Sequence, residues 1–275
     1  MAALLAVSCN NKQKDYPTYE LIGKQDVKVE DGRFTPEVMW GLGKMGETAV
    51  SPDGSQLAYT VTYYSMDENR GNAEIWLMPT AGGEAVQLTK TPQSEFSPAW
   101  LDNGTLLFCR GEQILSINVG TKAESVVAER EGGFEGFKIA PDGKSIVYIA
   151  TLPTERPEKL DKLFAGLDKT TGRINEDLMY RHWDQWVDEY PHIYYVALEG
   201  GKADVKKAVD ILDGEPYECP MRPWGGTEQY NYSPDGTKVV YTCRKKTGYD
   251  YAHSTNRFGG HDAKLVAEGL NLLRR

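Results

Sequence analysis

Three glutamates stand at one spacing from three aspartates. Glu95, Glu135 and Glu228 each lie seven residues before Asp102, Asp142 and Asp235. Two of them close the same short run, Gly132-Gly-Phe-Glu135 and Gly225-Gly-Thr-Glu228. Carboxylates gathered at one place make a negative field, and an ammonium group entering it is held by charge-assisted, directional hydrogen bonds. The same residues have a plainer use. A Glu at a repeated position can accept backbone N–H bonds in every repeat or face solvent, because repeated positions reflect repeated structure. Which use holds depends on what the aspartates mark.

The aspartates mark turns. Ser51-Pro-Asp53-Gly, Asp102-Asn-Gly, Ala140-Pro-Asp142-Gly and Ser233-Pro-Asp235-Gly align on the Asp. Six residues after it comes an aromatic (Tyr59, Phe108, Tyr148, Tyr241), and four after it an aliphatic (Leu57, Leu106, Ile146, Val239). Pro presets one turn torsion, Asp with Gly makes the reversal, and the apolar run that follows forms a strand. Second hairpin halves follow at Glu74–Met78, Gln113–Asn118 and Ile193–Leu198, then polar turns and short strands such as Ala85–Thr89 and Ser125–Ala128. Four antiparallel strands per repeat of about 40–50 residues is the unit of a β-propeller. The sequence therefore predicts an all-β fold, a partial propeller of about four WD40-like, four-stranded blades. The three glutamates open first strands, which line a propeller's central channel.

The long step from Asp142 to Asp235 predicts an insertion at residues 153–190, charged and partly helical, inside the third blade. Such insertions sit on one face and often carry function. Trp183, Trp186, Tyr190, Tyr194 and Tyr195 gather around it. They form either an apolar wall for a ligand or an anchor holding the insert to its blade. Asp188 and Glu189 beside them are second candidates for holding an amine.

Composition narrows the field further. The chain has 275 residues, 31 basic and 40 acidic, for a net charge of −9. Broad phosphate-backbone binding needs clustered cations and is excluded; the run Arg244-Lys245-Lys246 reads as an exposed hairpin end. No apolar run approaches the 18 or so residues of a membrane-spanning helix. Gly41-x-Gly43-x-x-Gly46 precedes a turn-and-strand pair rather than a helix, so it is no dinucleotide loop. No metal or nucleotide motif appears, and no cofactor is expected. Cys109, Cys219 and Cys243 show no Cys-x-x-Cys spacing; Cys109 and Cys243 fall in apolar strand patterns and read as buried small hydrophobes.

The ends differ from the middle. Residues 1–33 begin with a short apolar stretch, Cys9 and a polar run, which resembles the end of a bacterial lipoprotein signal. On that reading Cys9 is acylated, residues 10–33 are a tether, and the protein sits at the periplasm or cell envelope. On the other reading this is a ragged terminus without a role. Residues 257–275 form an atypical tail after the repeats at 34–256.

Longer segments resemble a known family. Phe34-Thr-Pro-Glu-Val-Met-Trp40, Tyr180-Arg-His-Trp-Asp-Gln-Trp186, Gly225-Gly-Thr-Glu228 and Lys245-Lys-Thr-Gly-Tyr-Asp-Tyr-Ala-His-Ser-Thr-Asn256 resemble the propeller of prolyl-oligopeptidase-family serine peptidases, in the dipeptidyl-peptidase and acylaminoacyl-peptidase branch. In that family the propeller is joined to an α/β-hydrolase carrying a Ser–Asp–His triad, with Ser in Gly-x-Ser-x-Gly. This chain has no Gly-x-Ser-x-Gly, and none of His182, His192, His253 and His261 lies in a hydrolase-like context. The resemblance implies a truncated, non-catalytic propeller, inactive alone, that gates a peptidase and helps bind peptides. Glu95, Glu135 and Glu228 would then hold the peptide's α-ammonium. The alternative is a free-standing envelope propeller similar to the TolB C-terminal domain, which binds protein partners.

Overall fold

The computed structural model describes residues 19–29, 31–153, 189–243 and 245–246. Each Asp turn ends one strand and starts the next. Ser51–Ser55 joins β1 (Lys44–Val50) to β2 (Gln56–Ser65). The Ser51 hydroxyl donates to Asp53 Oδ1 at 2.6 Å, the Ser55 N–H donates to the same oxygen at 3.0 Å, and Gly54 takes φ +73°. Ser233, Asp235, Gly236 and Thr237 repeat this geometry, with φ +68° at Gly236. The Ser233 hydroxyl, with the Thr237 donors, holds the Asp235 carboxyl down to about 2.

Strands then follow in chain order within each sheet. β1 and β2 continue into β3 (Arg70–Pro79) and β4 (Val86–Gln87). The second sheet is β5 (Glu95–Asp102), β6 (Thr105–Arg110), β7 (Gln113–Asn118) and β8 (Glu124–Glu129). The third is β9 (Phe137–Ile139), β10 (Ser145–Pro153), β11 (Glu189–Ala197) and β12 (Val209–Asp210). The fourth repeat is described only in part. Among the described residues it has two strands, β13 (Tyr230–Tyr232) and β14 (Val239–Tyr241), because the stretch that would hold a third lies outside them.

The predicted insertion falls at a hairpin tip. β10 and β11 pair without a break from Ser145↔Ala197 to Pro153↔Glu189. Residues 154–188 lie outside the described residues, and with them Trp183, Trp186, Asp188 and the expected helical content. Cys9 and the 257–275 tail also lie outside them. Residues 19–29, read above as tether, are instead held on the first sheet. Ile22 is buried, Gln25 Nε2 donates to the Tyr64 carbonyl, and Arg70 donates to the Glu20 carbonyl. A short helix α1 (Pro36–Gly41) follows, capped by the Thr35 hydroxyl with Pro36 in its first turn, where a missing N–H costs nothing.

The sheets stack through alternating side chains. On β10, Ile146, Tyr148 and Ala150 pack toward the second sheet with Leu107, Cys109 and Ile114. Val147 and Ile149 point the other way, toward Tyr230, Tyr232 and Val239. Ala58 and Ile75 of the first sheet meet Leu106, Phe108 and Leu115. A strand buried on both faces follows from the period of two, and each such Ile or Leu stabilises by about 1.5–3 kcal/mol.

Two carboxylates are sealed between the first and second sheets. Glu74 and Glu95 are both fully buried. Glu95 Oε1 accepts from Arg110 Nε at 2.7 Å and from the Thr91 hydroxyl at 2.6 Å, and its Oε2 accepts from the Thr89 hydroxyl at 3.0 Å. Arg110 also clamps Glu124 through both terminal nitrogens at 2.8 Å. Glu74 Oε1 accepts from Asn72 Nδ2 at 2.8 Å and from the Thr91 N–H at 2.9 Å, while its Oε2 receives no hydrogen bond. Burial, and then the charge of Glu95, push the Glu74 carboxyl up to about 7. Protonated, Glu74 can donate to Glu95. The folded chain holds this proton more tightly than the unfolded chain does. Its stabilisation is therefore complete below the ordinary value near 4.5 and is lost as pH rises through about 7. Glu74→Gln should flatten that loss in urea unfolding from pH 5 to 8 and gain about 1–2 kcal/mol over the natural chain at pH 8, less than unscreened linkage gives. Parallel pH profiles for the two chains would refute the assignment.

Candidate functional site

The three predicted glutamates take three different positions. Glu95 is the first residue of β5 and is buried in the network just described. It presents nothing to solvent, so it is no amine anchor; nor does it accept backbone N–H bonds or face solvent, since the donors it meets are the side chains of Thr89, Thr91 and Arg110. The cause is Arg110, directly across β6 in the Glu95↔Arg110 pair. Arg110 stands eight residues after Asp102, whereas the matching positions after Asp142 and Asp235 hold Ala150 and Cys243. That difference was a readable signal. Glu135 and Glu228 lie in the lead-ins to β9 and β13, beside strands that carry no arginine at the matching position.

The structure brings these two lead-ins together. Gly136, beside Glu135, takes φ +135°. A Cβ there would stand 2.5 Å from Thr227 Cγ2 and 3.2 Å from Ser97 Oγ. Ser97, Gly136 and Thr227 thus meet at one junction, drawn from the second, third and fourth repeats. Glycine is required at this approach. Glu135 and Glu228 flank the junction, one residue from Gly136 and Thr227 respectively. Glu47, on β1, replaces the buried Glu95 there. Its carboxylate accepts from the Ser97 N–H at 2.5 Å, and Ser97 itself is held at φ +53°. Glu47 escaped sequence alignment because Gly46, not Glu47, stands seven before Asp53.

The rim carries cations as well. Arg222 donates to Glu135 Oε1 at 2.6 Å, both side chains being partly exposed. The exposed Glu228 accepts from its own Gly226 N–H at 2.9 Å. Lys138 lies 5.5 Å from the Tyr230 ring centroid; burial lowers its ammonium, and the charge of Glu228 partly opposes that. Trp224, two residues after Arg222, is 74% exposed. Glu47, Glu135 and Glu228 thus stand with Arg222 and Lys138, three carboxylates to two cations. Of the predicted aromatics, Tyr194 stacks on Tyr148 at 5.4 Å and 14°. It is an anchor within its blade. Tyr190 packs edgewise on His192 at 4.9 Å.

His192 positions the segment that bears Arg222 and Trp224. It is buried on β11, with Nδ1 2.8 Å from Asp210 Oδ2 and Nε2 3.0 Å from the Tyr217 carbonyl. The Cys219 N–H donates to the Pro191 carbonyl at 2.9 Å, and the Met221 N–H donates to Gln229 Oε1 at 2.7 Å. Among the described residues, no group of three His, Cys, Asp or Glu side chains is arranged to hold a metal, and no helix is long and apolar enough to cross a membrane.

With this geometry in place, comparison with known proteins is informative. No family model matches the chain. Dipeptidyl-peptidase 5 of Porphyromonas gingivalis is 37% identical over 228 residues, which is 81% of this chain and 33% of the relative. Dipeptidyl-peptidase 5 of Porphyromonas endodontalis is 32% identical over 232 residues, 82% of this chain and 33% of the relative. The acylaminoacyl peptidase of Pyrococcus horikoshii superimposes with a TM-score of 0.50 at 12% identity, over 74% of this chain and 28% of that one, a likeness of fold. The chain belongs with the propeller part of prolyl-oligopeptidase-family serine peptidases. It spans about a third of the length of the curated relatives it matches.

Within this family member, the 213–226 segment depends on His192. His192→Ala leaves Asp210 and the Tyr217 carbonyl without their buried partner, which should cost about 2–4 kcal/mol in urea unfolding. Limited proteolysis should then cut first within 213–226. Unchanged stability with that segment still protected would contradict this role.

Proposed function

We propose that this chain is the non-catalytic, peptide-binding propeller part of a dipeptidyl-peptidase-like serine exopeptidase. It controls access to the catalytic centre and holds the amino end of the peptide. The observation that carries this reading is the junction of Ser97, Gly136 and Thr227, flanked by Glu47, Glu135 and Glu228. An α-ammonium is a point cation with three donors, and carboxylates on separate repeats can surround it. Arg222 keeps Glu135 oriented until a ligand ammonium competes for its second oxygen. Trp224 offers a flat apolar surface beside the charge, suited to the side chains that follow the amine. Kinship with dipeptidyl-peptidase 5 supports peptide substrates for the whole enzyme, with acyl transfer to a serine supplied outside this chain. The lipoprotein-like start supports an envelope location, through a lipid on Cys9.

Calorimetry on the full chain tests the amine claim. A short peptide with a free amino terminus should bind about 10–100-fold more tightly than its N-acetylated form, the value of a charge-assisted contact. Glu135→Gln and Glu228→Gln should each weaken the free-amine peptide and leave the acetylated one unchanged. Added salt should reduce the difference. Equal affinity for the two peptides would overturn the proposal.

A further inference from the structure

Cys219 and Cys243 come from separate segments and converge. Cys219 follows Glu218 in the 213–226 segment, fully buried, and its Sγ donates to the Thr242 carbonyl at 3.3 Å. Thr242 is the residue bonded to Cys243. Both cysteines belong to one apolar cluster with Ile149, Ile193 and Tyr230, Cys219 within it and Cys243 packed against it. Cys243 stands just after β14 and is half-buried. Both are thiols in this structure. The Cys219 thiol is pushed up by burial first and then by the neighbouring Cys243.

We infer that Cys219 and Cys243 form a redox-controlled cross-link, closed by thiol–disulfide exchange with a small-molecule disulfide. Cys243, the less buried, reacts first. Its thiolate attacks one sulfur of the incoming disulfide, forms a mixed disulfide and releases one thiolate. Cys219 then gives up its proton to solvent and attacks the Cys243 sulfur, expelling the second thiolate. Two protein thiols are oxidised and one disulfide is reduced to two thiols, so atoms and electrons balance. The high proton affinity of Cys219 makes the second step the slow one, since the thiolate is the nucleophile.

The link would tie the segment bearing Arg222 and Trp224 to the fourth repeat. That segment is already pinned to β11 through Cys219 N–H and His192. A covalent tie to β14 would remove its remaining freedom to lift from the rim. In an oxidising compartment the link would fix the rim covalently, and in a reducing one the hydrogen bonds to β11 and Glu135 would hold it alone. This inference stands apart from the peptide-binding reading, because it concerns cross-linking and not the ligand.

The test uses the full chain, natively folded, in oxidised and reduced glutathione mixtures of increasing potential. After alkylation, intact mass and peptide mapping locate the link. The expected product has lost two hydrogen atoms, joins the peptides containing Cys219 and Cys243, and unfolds at higher urea. Cys243→Ser should abolish it, while Cys109→Ser, in the second repeat, should leave it in place. If Cys109→Ser fails to fold, mapping of the natural chain still decides. Glutathione adducts that never resolve, or links through other cysteines, would overturn the inference.

Discussion

A carboxylate sealed between two β-sheets is tolerable only when its lone pairs meet donors, and Glu95 meets that condition with Thr89, Thr91 and Arg110. The requirement reaches well beyond one residue. Thr89 and Thr91 follow the last strand of the first sheet, while Arg110 ends a strand of the second, so one carboxylate fixes the spacing of both. Glu74 adds a proton-holding partner from β3. Two residues beyond Glu95, the chain turns at Ser97 with a left-handed backbone and reaches Glu47 of the first sheet. The junction with Gly136 and Thr227 is thus positioned by a buried ion network some residues away.

Much of this architecture is legible in the sequence because its determinants are local. An Asp-Gly reversal, a strand with period two and an aromatic six residues on are readable from neighbours in the chain, and β6, β7 and β10 appear where the pattern places them. The pairing of β10 with β11 up to Pro153 and Glu189 flanks the long step in the repeat spacing. The site is less legible because its contacts are not local. Glu47 meets Ser97, and Glu135 meets Arg222, across long stretches of chain that no periodicity reports. The buried fate of Glu95 lay in between: Arg110 was visible at its cross-strand position, but its meaning depends on knowing that the side chain turns inward.

Repetition supplied one position, and the repeats use it differently. In the second repeat a glutamate with a facing arginine became part of the core. In the third and fourth, small or apolar residues face the same position, and the glutamates stay at the rim.

Unfolding free energies of three matched variants test this division most directly. Glu95→Gln, Glu135→Gln and Glu228→Gln make the same chemical change at the same repeat position. The account predicts a loss of about 3–5 kcal/mol for Glu95→Gln, which takes the buried charge from Arg110 Nε and leaves Arg110 with Glu124 alone, and of about 0–1 kcal/mol for each of the other two, which are exposed. Losses of equal size at all three positions would mean that the glutamate does one structural job in every repeat, and the rim would lose its claim to function.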